Sequence, residues 1–332
     1  MNFNAFLDWF AQRSDYLGSH FMELTTGGLT LGAIYALIAL GYTLVYGVLK
    51  LINFAHSEVF MVGAFASVMA WELFGLTGST PAPSLGMLVV FLILGTAVAI
   101  AASGATALTL ELVAYRPLRR KNAPRLVFLI TAIGASLAIS QAVGVLTGHN
   151  KWKVPNLVSP NVVINWDTGF MGTLRLTDLD IGIILAALLM LVVLDLFINR
   201  SRLGMGIRAV AQDPDTAALM GVNKNRVFML TFLLGGVAAG LAAILYNLRI
   251  GNIQYDVGFL LGVKAFTAAV LGGIGNLRGA LLGGFALGLV ELWGAGFFGN
   301  QWLNVVAFVV LVIVLMFRPT GLLGESLGRS KA

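Results

Sequence analysis

Eight ionisable side chains lie within or beside long apolar runs: Lys50, His56, Glu58, Glu72, Glu111, Lys264, Arg278 and Glu291. A charge in hydrocarbon is costly, so each must be paired, reach water or serve a function. Glu72, Glu111 and Glu291 lie near the ends of their runs, where a carboxylate reaches water. Lys50 and Arg278 fit the same boundary. Lys264 sits deep inside Phe259–Val270 and requires a partner, either a carboxylate or the carbonyls of a helix C-terminus. Tyr35, Tyr42 and Tyr46 recur at i, i+7 and i+11. At 100° per residue they fall within about 40° of one another on a helix. Three tyrosines stacked down one helix cannot all lie at one membrane interface. They line a polar path or they bond to neighbouring helices. The run Asn53-Phe54-Ala55-His56-Ser57-Glu58 is the most polar one beside a span. It opens an apolar helix expected to begin near Val59. Asn53 or Ser57 could cap that helix, and Glu58 suits its positive end. The run is either a capped turn or a broken helix whose end faces a path for solute. The candidate pathway residues are therefore Tyr42, Tyr46, Asn53 and Glu58.

Other chemistries lack their residues. The chain has no cysteine and only three histidines, so neither thiolate chemistry nor a histidine metal cage is expected. No lysine follows a glycine, which excludes the G-x-x-x-x-G-K phosphate loop. H-E-x-x-H, G-x-S-x-G and a dinucleotide fingerprint are missing too. Asp167, Asp178 and Asp180 share a loop without an acid–base partner. No cofactor and no metal is implied, and a membrane enzyme is disfavoured. Any ATP that drives the protein must bind another subunit.

The elements that carry these residues are membrane spans. Charged residues are 11% of 332, against about 25% in soluble domains. Mean hydropathy is +0.89. Runs near the roughly 20 residues a span needs occur at 28–49, 56–74, 86–114, 126–147, 180–199, 227–249, 258–274, 279–297 and 302–317. The expected fold class is an all-α polytopic membrane protein with about 8–10 transmembrane or re-entrant helices. Segments 50–57 and 275–279 are too polar for lipid, so each is a short turn or a break in a helix. Residues 1–26 carry Asp8, Arg13, Asp15 and Glu23, unlike a signal peptide. Phe3, Phe6, Leu7 and Phe10 there have the spacing of an interfacial helix, the alternative being a poorly ordered leader. Residues 148–179, with Trp152, Pro155 and Trp166, suit a small lid at the membrane surface.

The net charge is +6, but the basic residues fall between spans, which argues against nucleic acid. Thirteen of the 21 lie in loops 115–125 and 200–226 and in the tail. Threading the spans as given puts these on one side, which the positive-inside rule makes cytoplasmic. Loops 75–85 and 148–179 then face outward. Gly28 with Gly32, Gly236 with Gly240, and Gly284 with Gly288 are small-xxx-small pairs suited to close helix packing. Gly275, Gly279 and Gly283 repeat the step. Within loop 200–226, Asp213 is a candidate N-cap with Pro214 at the first helical position. Gly221 ends the element, and Leu219 and Met220 give it an apolar patch suited to docking.

Several stretches resemble the LivH-type permease family of branched-chain amino-acid ABC importers. They are Gly32–Thr43 continuing to Ile52–His56, the loop just described, and Lys264–Asn276, with Pro319-Thr320-Gly321 after the last span. The likeness covers roughly residues 25–325. The loop resembles the coupling motif of importer permeases, approximately E-A-A-x-x-x-G, with Asp215 at its first position and Gly221 at its last. Ser57 stands where a glycine is usual, Arg278 where proline is usual, and residues 1–24 and the 148–179 loop are longer than usual. The resemblance implies an importer-permease fold and a bacterial inner-membrane location. It implies four kinds of companion: a second permease similar to LivM, two cytoplasmic ATPase subunits, a periplasmic solute-binding protein and an amino-acid substrate, namely leucine, isoleucine or valine. It implies ATPase coupling through Asp215, Ala217, Ala218, Leu219 and Gly221. Urea and short-chain amide importers have similar permeases, and an ion-coupled secondary transporter is the alternative outside the family. The organisation read from the chain is an interfacial segment 1–26, a permease domain 27–318 that includes outer loop 148–179 and coupling loop 200–226, and a cytoplasmic tail 319–332.

Overall fold

The computed structural model describes residues 3–78, 80, 83–318 and 320–324. Thus Pro319, Arg329 and Lys331, and most of the tail, lie outside the described residues, as do the side chains of Phe3 and Phe6. Helix α1 (Phe3–Ser19) leads into α2 (Phe21–Leu49) and α3 (His56–Leu73). Next, α4 (Leu85–Thr109), a π-turn over Leu110–Tyr115 and α5 (Arg116–Arg120) form one rod. Then come α6 (Arg125–Thr147), α7 (Asp178–Arg200), α8 (Arg202–Gln212), α9 (Pro214–Leu219) and α10 (Lys224–Ile250). The last are α11 (Val257–Gly272), α12 (Leu277–Phe298) and α13 (Leu303–Phe317). Among the described residues, seven helices are long and apolar enough to cross a membrane; α3 and α11 are not among them. The protein is a multi-pass membrane protein. Residues 148–179 and 251–256 add two small antiparallel pairings absent from the expected all-α fold. Strand β1 (Trp152–Lys153) pairs with β4 (Asn252–Ile253), and β2 (Val162–Asp167) pairs with β3 (Thr173–Thr177).

Helix α2 is the axis, and 89% of its apolar window is buried within the protein. Its glycines explain how. A Cβ at Gly28 would lie 2.9 Å from the Gly288 carbonyl oxygen, and one at Gly32 2.7 Å from that of Gly284. The two small-residue pairs therefore face each other and bring α2 and α12 into backbone contact, where packing and not hydrophobicity holds helices in lipid. Gly236 and Gly240 do the same against α4, at Gly104 and Ile100. The outer helices α4, α6, α7 and α13 turn Val, Leu and Ile outward, as a lipid-facing surface requires.

The loops gather at two ends. At the basic end, α5 and α8–α9 lie with the α11–α12 turn. Leu322 and Leu323 N–H donate to the carbonyls of Leu271 and Gly272 at 2.8 and 2.9 Å, and Arg278 meets Asp195 at 3.2 Å. At the other end lie the strand pairs and α1, whose Trp9 and Phe10 rings pack on Phe297. A helix does form over 3–19, not an irregular leader.

Two expectations about span ends fail. Basic residues 116–120 are not loop but a helical continuation of α4. Glu111 and Glu291 do not reach water: both are fully buried. Glu111 is bonded by Arg119, whose guanidinium also lies 4.0 Å over the Phe228 ring. Glu291 accepts from Lys264 Nζ at 2.5 Å, and Lys264 reaches the Tyr35 hydroxyl at 3.3 Å. A buried charge is tolerable only when paired: Glu111 is paired within its own rod, and Glu291 of α12 across to Lys264 of α11.

Candidate functional site

The two short helices start inside the bundle. Segment 50–55 turns back along α2 after Lys50, which takes a left-handed φ of 54°. The His56 ring then packs edge-on against Tyr42 at 4.9 Å. Tyr42 is eight residues before Lys50, so α3 begins about 12 Å back from the end of α2. Gly41 makes the approach possible: a Cβ there would lie 2.1 Å from His56 Nε2. From the other end, residues 251–256 turn inward after α10. The Ser140 hydroxyl donates to the Tyr255 carbonyl at 3.2 Å. Ser140 is eight residues before Gly148, the C-cap of α6, so α11 also starts about 12 Å inside. Helices of 18 and 16 residues span about 27 and 24 Å, less than the roughly 30 Å hydrocarbon core. Irregular backbone at that depth must be covered by protein. In segment 50–55, Asn53 and Ala55 are buried, with Tyr115 of the π-turn on Asn53 and Phe266 of α11 on Phe54; in 251–256, Ile253 is buried beside β1, while Gly251, Asn252 and Asp256 are exposed.

The N-terminal ends of α3 and α11 meet. A Cβ at Gly258 would fall 2.4 Å from Glu58 Oε2, and one at Gly262 2.3 Å from Ser57 Cβ. These glycines, one helical turn apart, let α11 lie against the polar turn of α3. Gly258-Phe259-Leu260-Leu261-Gly262 is a further G-x-x-x-G pair in the chain.

All four candidate pathway residues come into this region, with different roles. Tyr42 and Tyr46 line a narrow crevice with Ile52, Phe266, Ala269 and Ile274, with room for about one water molecule. The tyrosine stripe is thus split, since Tyr35 is bound to Lys264 and Tyr42 and Tyr46 face the crevice. Asn53 is buried. Its Oδ1 accepts from Ala55 N–H at 3.1 Å and from the Tyr115 hydroxyl at 2.9 Å. Glu58 is fully buried and accepts from the Ser136 hydroxyl at 3.1 Å through Oε1. The capping expectation is corrected. The helix starts at His56, not near Val59, and its N-cap Ala55 has no side-chain cap. Asn53 forms a turn ahead of the helix, while Ser57 lies inside it and donates to the Phe54 carbonyl. Tyr115 and Ser136 escaped the sequence reading. Tyr115 is placed by the π-turn, which shifts the following side chains round the helix and left no periodic signal. Ser136 is one small polar residue in an apolar run.

The second region is α9. Asp213 Oδ1 accepts from Asp215 and Thr216 N–H at 2.9 and 3.2 Å, and Oδ2 from the Thr216 hydroxyl. The hydroxyl above all, then the two N–H groups, hold the Asp213 carboxyl below its usual range. Pro214 opens the helix, and Gly221 follows it at φ 86°. Asp215 pairs with Lys224 at 2.9 Å. Leu219 and Met220 are 86% and 81% exposed. Ala217 is buried in a cluster with Val48, Ile207, Val210, Val227 and Phe228, so it faces the bundle itself and not an outside partner. Ala218 is exposed. The cluster fastens α9 to the end of α2, just before the 50–55 break.

Two helices that start inside a membrane bundle, and a short helix with an exposed Leu219–Met220 tip at its basic end, are features a transport subunit would use. The profile described as "Branched-chain amino acid transport system / permease component" matches residues 24–315, and the chain belongs to that family. It is 44% identical over 306 residues to the high-affinity branched-chain amino acid transport system permease protein BraD of Pseudomonas aeruginosa, covering 92% of this chain and 96% of that protein. It is 39% identical, with the same coverage, to the corresponding protein LivH of Escherichia coli K12. The archaeal LivH of Methanocaldococcus jannaschii, a probable branched-chain amino acid permease, is 25% identical over 308 residues. No solved structure matches.

Proposed function

We propose that this chain is the permease subunit through which leucine, isoleucine and valine enter the cytoplasm, with the basic end as its cytoplasmic face. Family membership over residues 24–315 carries the transport class. The companions follow from what importers of this family require: a second permease, two ATPase subunits and a solute-binding protein. The path runs between α2, α3 and α11, past Glu58, Tyr42 and Tyr46, and leaves beside Asn53. Three features support it. The backbone breaks there at membrane depth, polar side chains cluster there, and the glycines of α11 let it slide without interlocking side chains. The crevice is too small for leucine, as a closed state of alternating access demands.

ATP-driven motion enters through α9. Leu219 and Met220 offer an apolar tip for a groove in an ATPase subunit. The cluster that holds Ala217 and Val48 joins that tip, by way of α8 and α10, to α2, and α2 leads directly into the break. The test is leucine uptake into proteoliposomes. Uptake that needs ATP, the ATPase subunits and the binding protein supports the assignment. Uptake by the lone chain, driven by a sodium or proton gradient, overturns it in favour of a secondary transporter.

A further inference from the structure

Glu58 does not do the work that a glutamate at the third position of a helix usually does. Such a residue bonds back to the amide of the N-cap. Here the Ala55 amide is already taken by Asn53 Oδ1. Glu58 instead reaches across to α6, where Ser136 binds Oε1 at 3.1 Å. Its other oxygen, Oε2, is buried and has no hydrogen-bond donor among the described residues. No lysine or arginine among them lies within ion-pair distance of it, whereas the other two fully buried glutamates are paired.

What this buried carboxylate lacks is a positive partner. The N-terminal ends of α3 and α11, helices of 18 and 16 residues, both converge on it, and such ends stabilise negative charge. Asp256, the residue before α11, is close enough for its negative charge to be felt at Glu58; two carboxylates near one point repel each other and together attract a cation. Gly258 packs bare backbone directly against Oε2, so α11 must withdraw before a guest reaches that oxygen. Tyr42 links this point to the apolar crevice: its ring lines the crevice, and its hydroxyl lies beside Ser57 and Gly262.

A free amino acid with an aliphatic side chain matches both parts. We propose that Glu58 Oε2 is the resting point of the substrate's α-ammonium group in transit, with the aliphatic side chain directed toward Tyr42, Ile52 and Phe266. An ammonium brings three N–H donors and the missing positive charge. Urea and neutral amides bring no charge, so Glu58 would favour amino acids over them. This inference rests on the path proposed above.

The test uses the complete transporter in proteoliposomes. Glu58→Gln keeps the shape and removes the charge. It is expected to lower leucine uptake about tenfold or more, the scale of one charge-assisted hydrogen bond. The amount of assembled complex and the ATP hydrolysis stimulated by binding protein should stay near wild type. Glu58→Asp keeps the charge and should recover part of the uptake. Wild-type leucine uptake by Glu58→Gln overturns the proposal. So does a parallel loss of uptake, assembly and ATP hydrolysis in both variants, which would make Glu58 a packing residue. A Tyr46→Cys variant separates the two readings. If a thiol reagent blocks its uptake while Glu58→Gln transports normally, the path stands and only the ammonium contact falls. If neither change affects uptake, the path itself falls.

Discussion

Asn53 holds the broken segment together through one oxygen. Alanine there removes the acceptor of a buried amide and of the Tyr115 hydroxyl, and an unsatisfied buried donor costs about 1–3 kcal/mol. Asn53→Ala is therefore expected to lower the thermal stability of the purified complex as well as uptake. Tyr115→Phe, which loses only the hydroxyl, should show a smaller fall of about 1 kcal/mol. An Asn53→Ala complex with unchanged melting temperature would mean that Asn53 acts on transport alone. Lys264 poses the opposite case, a charge already paired. Lys264→Met strands Glu291 and should cost about 3–5 kcal/mol, whereas Lys264→Met with Glu291→Leu should recover most of it. Melting curves of the two variants check this. Equal destabilisation by both would show that the ion pair is not what couples α11 to α12.

The cluster around Ala217 seats α9 on the bundle, so the coupling proposed for it is that of a lever rather than a flap. Gly221 sits at φ 86°, which a β-branched residue adopts only with strain. Gly221→Val and Leu219→Asp should each weaken co-purification of the ATPases, the first by deforming the end of α9 and the second by removing apolar contact. Ala217→Trp should act differently. Its site is an internal cluster, so it should lower stability before any partner is added. Wild-type co-purification in both Gly221→Val and Leu219→Asp would remove α9 from coupling. The Asp213 cap sets the pH behaviour. Its carboxyl titrates below the ordinary range, so its contribution is complete above that range and is lost only as pH falls through the depressed value. Coupling should not change between pH 6 and 8 on its account, and Asp213→Ala should weaken coupling across that whole window. A fall in ATPase co-purification between pH 8 and 6 that Asp213→Ala abolishes would contradict it.

At the scale of the molecule, the two ends differ in charge and in structure. Arg120 and Lys224 lie at the basic end, Trp166 and Phe170 on the hairpin at the other. In intact cells, an impermeant thiol reagent added outside should label cysteines placed at Trp166 and Phe170 and spare those at Arg120 and Lys224. The chain has no cysteine of its own, so the background is clean. Labelling at Arg120 and Lys224 would invert the membrane orientation and with it the direction assigned to the path.

Length and hydropathy alone located the spans: each expected apolar run has its helix, because lipid admits little else. The Asp213–Pro214 start and Gly221 stop of α9 were legible too, since caps depend on neighbours in sequence. The glycine pairs announced close packing, but not which pair meets which. That Gly28 and Gly32 face Gly284 and Gly288 is a property of two helices some 250 residues apart in the chain. The burial of Glu111 and Glu291 was likewise hidden, because a carboxylate near the end of an apolar run looks solvated until its neighbours are in place. The same holds for the site. Sequence marked Glu58 as polar and near a span, and only the tertiary structure decided that α3 starts some 12 Å inside the bundle, against the bare backbone of Gly258. Chain reversal at Lys50 sets that depth, and local propensity carries no record of how far a reversed chain re-enters.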